Sequence, residues 1–352
     1  MGLGIAIAVD GTSDDQLAEA VSVEVQERMG EMTTYRIRYD IDISEGDLPM
    51  LVDDRVGPGS ELSVIAPHDG RNNYLVKGPV TGQQIHFAHG GTGSFVEVFG
   101  SDSSIVMDRE TQTTLWSDVT DSDAAATILG QYGYNADVGT TSAGHFETKH
   151  TLVQRDTDFR FLQRLALRNG FLFWVSCDSE GNETAHFRRA PLEGDPAGDL
   201  VINLESNTLD RVDITWDVER PTSVVAAQLD LNDKSDIDGA LTQSPLASLG
   251  AHALDSIVPD TRSIHIVAPV DDAGDLRGRS EGVLVETNWF IRGTCQATVN
   301  SLNALVRAHT VINLRGAGTR FSGKYLVSGV RHTIDASAHR MDVELIRNGW
   351  GG

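Results

Sequence analysis

Along Thr34–Ile43 the chain alternates. Tyr35, Ile37, Tyr39, Ile41 and Ile43 fall on one side, and Arg36, Arg38, Asp40 and Asp42 on the other. A period of two marks a strand with one face buried and one in water. Gly57-Pro58-Gly59 reads as a turn, after which Glu61–Pro67 resumes an extended run. Asn73–Pro79, Gly82–Ala88 and Ser94–Phe99 predict further short strands, and Gly90-Gly91-Thr92-Gly93 predicts a hairpin turn. Short strands at this spacing over residues 1–115 predict a β-barrel.

The period then changes. Asp121-Ser122-Asp123 is a capping signal for a helix through Ala124–Tyr132, with Gly133 as its stop. A second helix is predicted at about Thr157–Asn169, with Asp156 as N-cap and Gly170 just past its end. Phe159, Leu162, Leu165 and Ala166 share one face at helical spacing. Phe171–Cys177 is a strongly apolar strand that Glu183–Arg189 can pair. Its run Phe171-Leu-Phe-Trp-Val175 fits either a partner surface or a strand covered on both faces within its own domain. Residues 116–200 therefore read as a small α+β unit.

From Leu200 extended runs return at Leu209–Val218, Ser223–Leu229 and Ser263–Val267. The polar, acidic stretch around 232–260 reads as a long surface loop or insertion. Cys295, Val299, Leu302 and Leu305/Val306 recur at helical spacing, which predicts a helix over Thr294–Ala308. Lys324–Ile334 and Arg340–Arg347 read as closing strands, so 201–352 is a second β region. The fold class is mainly β with an α+β domain.

Composition narrows the possible partners. The chain carries 51 acidic against 28 basic residues, a net charge of −23. Only four of the basic residues are lysines (Lys77, Lys149, Lys234 and Lys324), while 34 of the acids are aspartates. A GC-rich genome accounts for few lysines but not for surplus acid. The pattern therefore points to a halophilic host, whose concentrated salt screens such repulsion within a few ångströms. With no basic stripe, sequence-specific nucleic-acid binding is not expected. The longest apolar runs, such as Gly4–Val9, fall far short of the ~20 residues of a membrane span. Met1–Asp10 has no basic residue ahead of its apolar stretch, so it does not read as a signal peptide, and folding in the cytoplasm is expected.

Candidate chemistry is sparse. Cys177 and Cys295 lie far apart, outside any CxxC pair, and read as small buried hydrophobes. His86 and His89 form an i, i+3 pair with His68 as the nearest third ligand, which is not zinc-site spacing. His145 and His150 flank Glu147 and read as a surface loop. Asp230, Asp233, Asp236 and Asp238 precede Gly239, but Lys234 and Ile237 stand where a calcium loop needs oxygens. Gly90–Gly93 lacks the Lys-Ser/Thr of a phosphate loop, and no nucleophile–base motif is legible. Hence no catalytic, cofactor-binding or metal residue is assigned, no cofactor is expected, and the protein reads as a non-enzyme.

One segment carries a family likeness. Gln154-Arg-Asp-Thr-Asp-Phe-Arg-Phe-Leu-Gln-Arg-Leu-Ala-Leu-Arg-Asn-Gly-Phe-Leu-Phe-Trp-Val175 resembles a signature of the phage late-control D family, which includes the hub part of VgrG proteins and the central hub of myophage baseplates. The ending Phe321–His332 followed by Met341–Arg347 is similar to the family's last two strands. Weaker echoes fall at Gly57–Gly59, Val98–Asp102 and Gln131–Tyr134. The resemblance implies two tube-like antiparallel β-barrel domains flanking a smaller α+β domain. It implies a homotrimeric structural hub, a pseudo-sixfold ring joining a hexameric tail tube to a spike or tail-tip protein. Tape measure and baseplate wedge proteins are further implied contacts. The implied location is the baseplate of a virion tail, or of a contractile injection machine, assembled in the host cytoplasm. The alternative is a tail-tip protein with peptidoglycan-hydrolase or host-adhesion activity on the same platform. The sequence stops soon after the last hub-like strand, so the spike is expected to be a separate protein.

Overall fold

The computed structural model describes residues 4–41, 49–89, 91–149, 151–229, 234–268, 270 and 272–351. Asp42, Ile43, Gly90, His150, Asp230 and Asp233, singled out above, lie outside the described residues. The architecture is mainly β, with large antiparallel sheets and a few helices.

One sheet runs through most of the chain. Its order is Val212–Trp216, Ile291–Thr298, His339–Arg347, Gly323–Asp335, Ser22–Arg28, Thr34–Asp40, Phe95–Ser101, Arg71–His86, Glu61–His68, Ala6–Val9 and Thr12–Ser13. Residues from the two ends of the sequence meet in its middle, where Gly323–Asp335 pairs antiparallel with Ser22–Arg28, from Gly329 opposite Arg28 to Asp335 opposite Ser22. Val311–Arg315 branches from Gly323–Asp335 and takes Asp199–Val201 as a parallel neighbour.

The sheet wraps two separate cores. In the first lobe, Ile7, Val23, Ile37, Leu62, Val76 and Val98 share one cluster, although their strands lie far apart in the sheet order. In the second, Leu200, Ile291, Ile312, Tyr325, Val330 and Val343 share another. A sheet whose distant strands meet in one core is curled into a barrel-like lobe. The long strand Gly323–Asp335 serves both, since Tyr325 and Val330 face the second core and Ile334 the first. Each such Val, Ile or Leu contributes about 1.5–3 kcal/mol over leaving it in water. On Thr34–Asp40 the expected alternation holds: Tyr35, Ile37 and Tyr39 are buried, and Arg36 and Asp40 are exposed.

A third core, from Met107 to Phe187, belongs to the α+β region. Its first helix is Asp121–Gln131. Thr120, one residue before the predicted signal, is the N-cap and forms a capping box with Asp123. The second is Asp158–Arg168, capped by Thr157 rather than Asp156, with Gly170 in the left-handed region at φ 65°. Both helices share the core with the sheet Asn135–Val138, Glu183–Arg188 and Leu172–Cys177. The aromatic run is covered on both faces. Phe173 and Val175 enter this core, and Trp174 is buried on the other side.

The predicted helix over Thr294–Ala308 is a correction. Ile291–Thr298 is a strand burying Ile291, Gly293, Cys295 and Ala297, and only Val299–Leu302 is helical. The small inward residues carry a weak period-two signal, which the helical spacing farther on overrode. The longest helix among the described residues, Ala273–Thr287, has no counterpart among the predicted elements, and it carries Gly274, Gly278 and Gly282, a residue type that weakens helices. These glycines form a stripe. A Cβ on Gly282 would lie 2.6 Å from the Leu167 and Arg168 carbonyl oxygens, and one on Gly278 would lie 2.9 Å from Asn169 Oδ1. Glycine thus lets this helix seat directly on the end of Asp158–Arg168. Its other side packs on Ser223–Leu229 and Asp236–Asp238. The polar stretch around 232–260 is anchored through buried Ile237 and Leu254.

Candidate functional site

The feature spanning the whole molecule is the solvent-side face of the central sheet. Cross-strand partners lie on one face, and their rows pass from lobe to lobe without interruption. One row reads Gln296–Asp342–Arg331–Gln26–Thr34, and the next reads Thr298–Arg340–Thr333–Glu24–Arg36. The face is mainly polar, with Phe95 and Phe99 set among its charged residues, and it is balanced in charge. Arg36 pairs with Glu97 at 3.1 Å, Arg331 with Glu24 at 3.8 Å, and Gln296 donates to Asp342 at 2.6 Å. Arg38 lies 3.8 Å over the Phe95 ring. At the junction the face opens into a groove of about 600 Å³ lined by Arg28, Asp213, Gln296, Arg331 and Glu344. A chain of net charge −23 thus places near-neutral, internally paired charge here.

Beneath this face a buried knot ties three parts together. Glu27, on the core side of Ser22–Arg28, accepts from Arg307 Nε and from the Ala308 amide at 2.9 Å. Arg307 also donates to the Tyr74 and Leu75 carbonyls at 2.7 and 3.2 Å. Burial alone would raise the Glu27 pKa, but the Arg307 charge and His332 hold it below the usual range. His332, fully buried, shares a 3.0 Å hydrogen bond with His339, and its Nε2 lies 3.7 Å from Glu27. Burial, then His332, lowers the His339 pKa to about 3.

The α+β region contributes its polar sheet face. Trp174 is sandwiched between His186 and His309, with centroids 4.4 and 4.3 Å away. His186 Nδ1 donates to Asp137 at 2.9 Å, and its Nε2 accepts from the Ser176 hydroxyl at 2.8 Å. Burial lowers the His186 pKa. Sequence reasoning found no nucleophile–base pair, yet this Ser–His–Asp row has the connectivity of one. Three short strands carry it, with Asp137 directly opposite His186 and Ser176 diagonal to it. Asp137 is shared with Arg188 at 3.0 Å, and Trp174 covers one face of the ring. A row of this kind ties the three strands of one sheet together, and no local motif announces it.

His145 is a further correction. It is not on a surface loop but only 2 % exposed, with Nε2 donating to buried Asp121 at 2.8 Å. Arg168 and Asn169 also donate to Asp121. Burial pushes that carboxyl up, and these three donors outweigh it and hold it below its usual range. Glu147 is exposed. The early histidines are not gathered. His68 pairs with the Asn303 carbonyl at 3.2 Å, while His86, at the far end of the Arg71–His86 strand, stacks on Phe95. Asp236 and Asp238 are exposed on a strand. Among the described residues no three His, Cys, Asp or Glu side chains are grouped as metal ligands, and no helix is long and apolar enough to cross a membrane.

Comparison with solved structures recovers this fold over the full chain. A tail protein from Neisseria meningitidis MC58 aligns with a TM-score of 0.66 at 13% identity, covering 99% of this chain and 97% of that one. The 43 kDa tail protein of prophage MuSo2 from Shewanella oneidensis gives 0.65 at 14%, covering 98% of each. The E. coli c3393 protein, a component of the type VI secretion system, gives 0.57 at 13%, covering 98% of this chain and 79% of that one. The fold is therefore one shared with tail and secretion-system proteins. No curated protein sequence matches the chain. The chain belongs to the Alg8 N-terminal domain family, whose model matches residues 3–336.

Proposed function

We propose that this chain is the structural hub of a phage-type tail or contractile injection machine. Three copies close into a ring joining a sixfold tube to a threefold spike. The observation that carries this reading is the unbroken polar sheet face across two barrel-like lobes. Two lobes per chain supply six wall segments from three copies, and a cyclic trimer is the simplest assembly with that count. A charge-balanced wall suits a conduit, since it offers a passing polyanion neither a basic trap nor a strong field. The segment Gln154–Val175 adds its resemblance to late-control D and VgrG hubs. The full-length likeness to tail proteins supports a structural role in the virion tail or an injection particle.

On this reading residues 1–115 and 201–352 are the two wall domains and 116–200 sits outside them. The partners are a tube protein and a spike or tip protein, with tape measure and wedge proteins in further contact. The acid excess fits a halophilic host. Imaging of the native particle tests the reading. It should show three copies at the tube–spike joint, each giving two lobes to the ring. Six copies, or one lobe per chain in the wall, overturns it.

A further inference from the structure

We propose that the water-facing side of helix Asp158–Arg168, with the strand pair beside it, is a docking surface for an acidic, amphipathic helix of a second protein. The inference goes beyond the ring reading and does not depend on it. The surface stands out first by charge. Residues 149–168 hold five basic and two acidic side chains, whereas the whole chain holds 28 against 51. The helix turns Phe159, Phe161, Leu162, Leu165 and Ala166 into its core. Its other side carries Arg160, Arg164 and Leu167, all exposed and spaced three and four positions apart, so they form one stripe. Leu167 is 64% exposed.

The stripe continues onto the two-stranded sheet Leu152–Gln154 and Thr114–Trp116. Arg164 donates to the Val153 carbonyl at 3.5 Å and to Asp156 at 3.1 Å, and its guanidinium lies 5.1 Å from the Phe161 ring centroid. Val153 pairs across the strands with Leu115, which is 68% exposed. Arg155, two positions past Val153, is exposed and has no ion pair among the described residues. A lone exposed leucine needs no explanation. Two of them joined through Val153 and Arg164, in the arginine-rich part of an acidic chain, make a mixed apolar and basic surface.

Charge complementarity decides the partner. The net charge of −23 repels an acidic protein from the molecule as a whole, and on this face the repulsion reverses. Guanidinium groups suit the task, because they give up water readily and hold a carboxylate through two parallel bonds. Leu115 and Leu167 require apolar partners, which a phosphate backbone does not supply. Asp108 lies 3.2 Å from Arg160, and Asp156 lies 3.0 Å from Arg164. An evenly charged polyphosphate meets these two carboxylates as well as the arginines, whereas a helix sets its own carboxylates at intervals and can avoid them. A helix with leucines along one side and glutamates along the flanks satisfies both the apolar and the basic positions.

The test is fluorescence anisotropy of a labelled synthetic helix of leucine and glutamate, titrated with the purified full chain. Three comparison probes are the same helix with glutamine for glutamate, an oligothymidylate and vesicles of phosphatidylglycerol. The glutamate helix should bind saturably and more tightly than the other three. Leu115→Asp combined with Leu167→Asp should weaken it at least ~10-fold, as loss of a buried leucine contact predicts. Arg155→Glu combined with Arg160→Glu should weaken the glutamate helix to a similar degree and leave the glutamine helix unchanged. Far-ultraviolet circular dichroism should match the wild type in every case. Should the aspartates cost the fold, Leu115→Thr with Leu167→Gln serves instead. Absence of binding by the glutamate helix overturns the proposal, as does binding that neither pair of substitutions weakens. Tighter binding of the oligothymidylate or the vesicles overturns it in favour of a nucleic-acid or lipid surface. Each of these results leaves the ring reading intact, because none depends on assembly.

Discussion

The indole of Trp174 lies flat on the imidazole of His309, with centroids 4.3 Å apart and planes 7° from parallel. The two residues come from different parts of the molecule, the α+β sheet and the second lobe. His309 reaches the stack from the left-handed region at φ 63°, a conformation costly for most side chains. Its Nε2 accepts from the Gly30 amide of the first lobe at 3.3 Å. One ring therefore registers all three parts.

That geometry sets a pH dependence. Burial depresses the His309 and His339 pKa values to about 3 each. In the unfolded chain both sit near 6.5. The folded value is below the unfolded one, so the stability is fully present above pH ~6.5 and is lost as pH falls toward ~3. Each group contributes a slope of up to ~1.4 kcal/mol per pH unit in that window. Urea melts from pH 7 to pH 4 should show this slope. His309→Asn, which tolerates the left-handed backbone, should remove about one proton from it. An unchanged slope in the variant would refute the assignment.

Glu27 and Arg307 lie 280 positions apart and close the knot between the lobes. Removing one member strands the other in a buried site, which typically costs about 3–5 kcal/mol. Arg307→Met and Glu27→Gln should each lower the melting temperature strongly. The double variant should be less destabilised than the sum of the two, because the stranded charge disappears with its partner. Additive losses in a double-mutant cycle would show that the two side chains act independently.

Glycine separates what the chain announces from what it conceals. Helix Asp158–Arg168 was legible because its apolar spacing, cap and terminal Gly170 all agree locally. Helix Ala273–Thr287 was not, since its glycines are justified only by backbone arriving from Leu167 and Arg168. The strand Thr34–Asp40 was legible from alternation, whereas Ile291–Thr298 alternates in Gly, Cys and Ala that hardly register as apolar. His145 looked like a loop residue because its partners, Asp121 and Arg168, lie beyond any local window. The polar face was partly visible strand by strand, but the pairing that joins it across the lobes unites the two ends of the chain.

Two glycine-to-alanine changes should therefore have opposite signs. Gly130, in helix Asp121–Gln131, has open space where a Cβ would go. Gly130→Ala should stabilise by roughly 0.5–1 kcal/mol, the helix-propensity difference. Gly282→Ala gains the same propensity but drives its methyl into two carbonyl oxygens. Overpacking of this kind costs about 1–3 kcal/mol, so the net effect should be destabilising. Chemical denaturation of both variants decides the matter. A stabilising Gly282→Ala would mean that the two helices are not in backbone contact.

Salt should act on the whole molecule. With 51 acids and 28 basic groups, at least 23 carboxylates have no side-chain cation of their own. Many arginines are already engaged, as Arg36 is with Glu97 and Arg315 with Asp199. Added salt weakens those exposed pairs, each worth at most about 1 kcal/mol. It also screens the far more numerous repulsions among unpaired acids. The Debye length falls from ~10 Å at 0.1 M to ~3 Å at 1 M, which confines each carboxylate to its nearest neighbours. Relief of repulsion should outweigh the loss of pairs, because the surplus is one-sided. The melting temperature should thus rise steadily as sodium chloride goes from about 0.1 M to above 1 M. A flat or falling curve over that range would remove the case for a halophilic host.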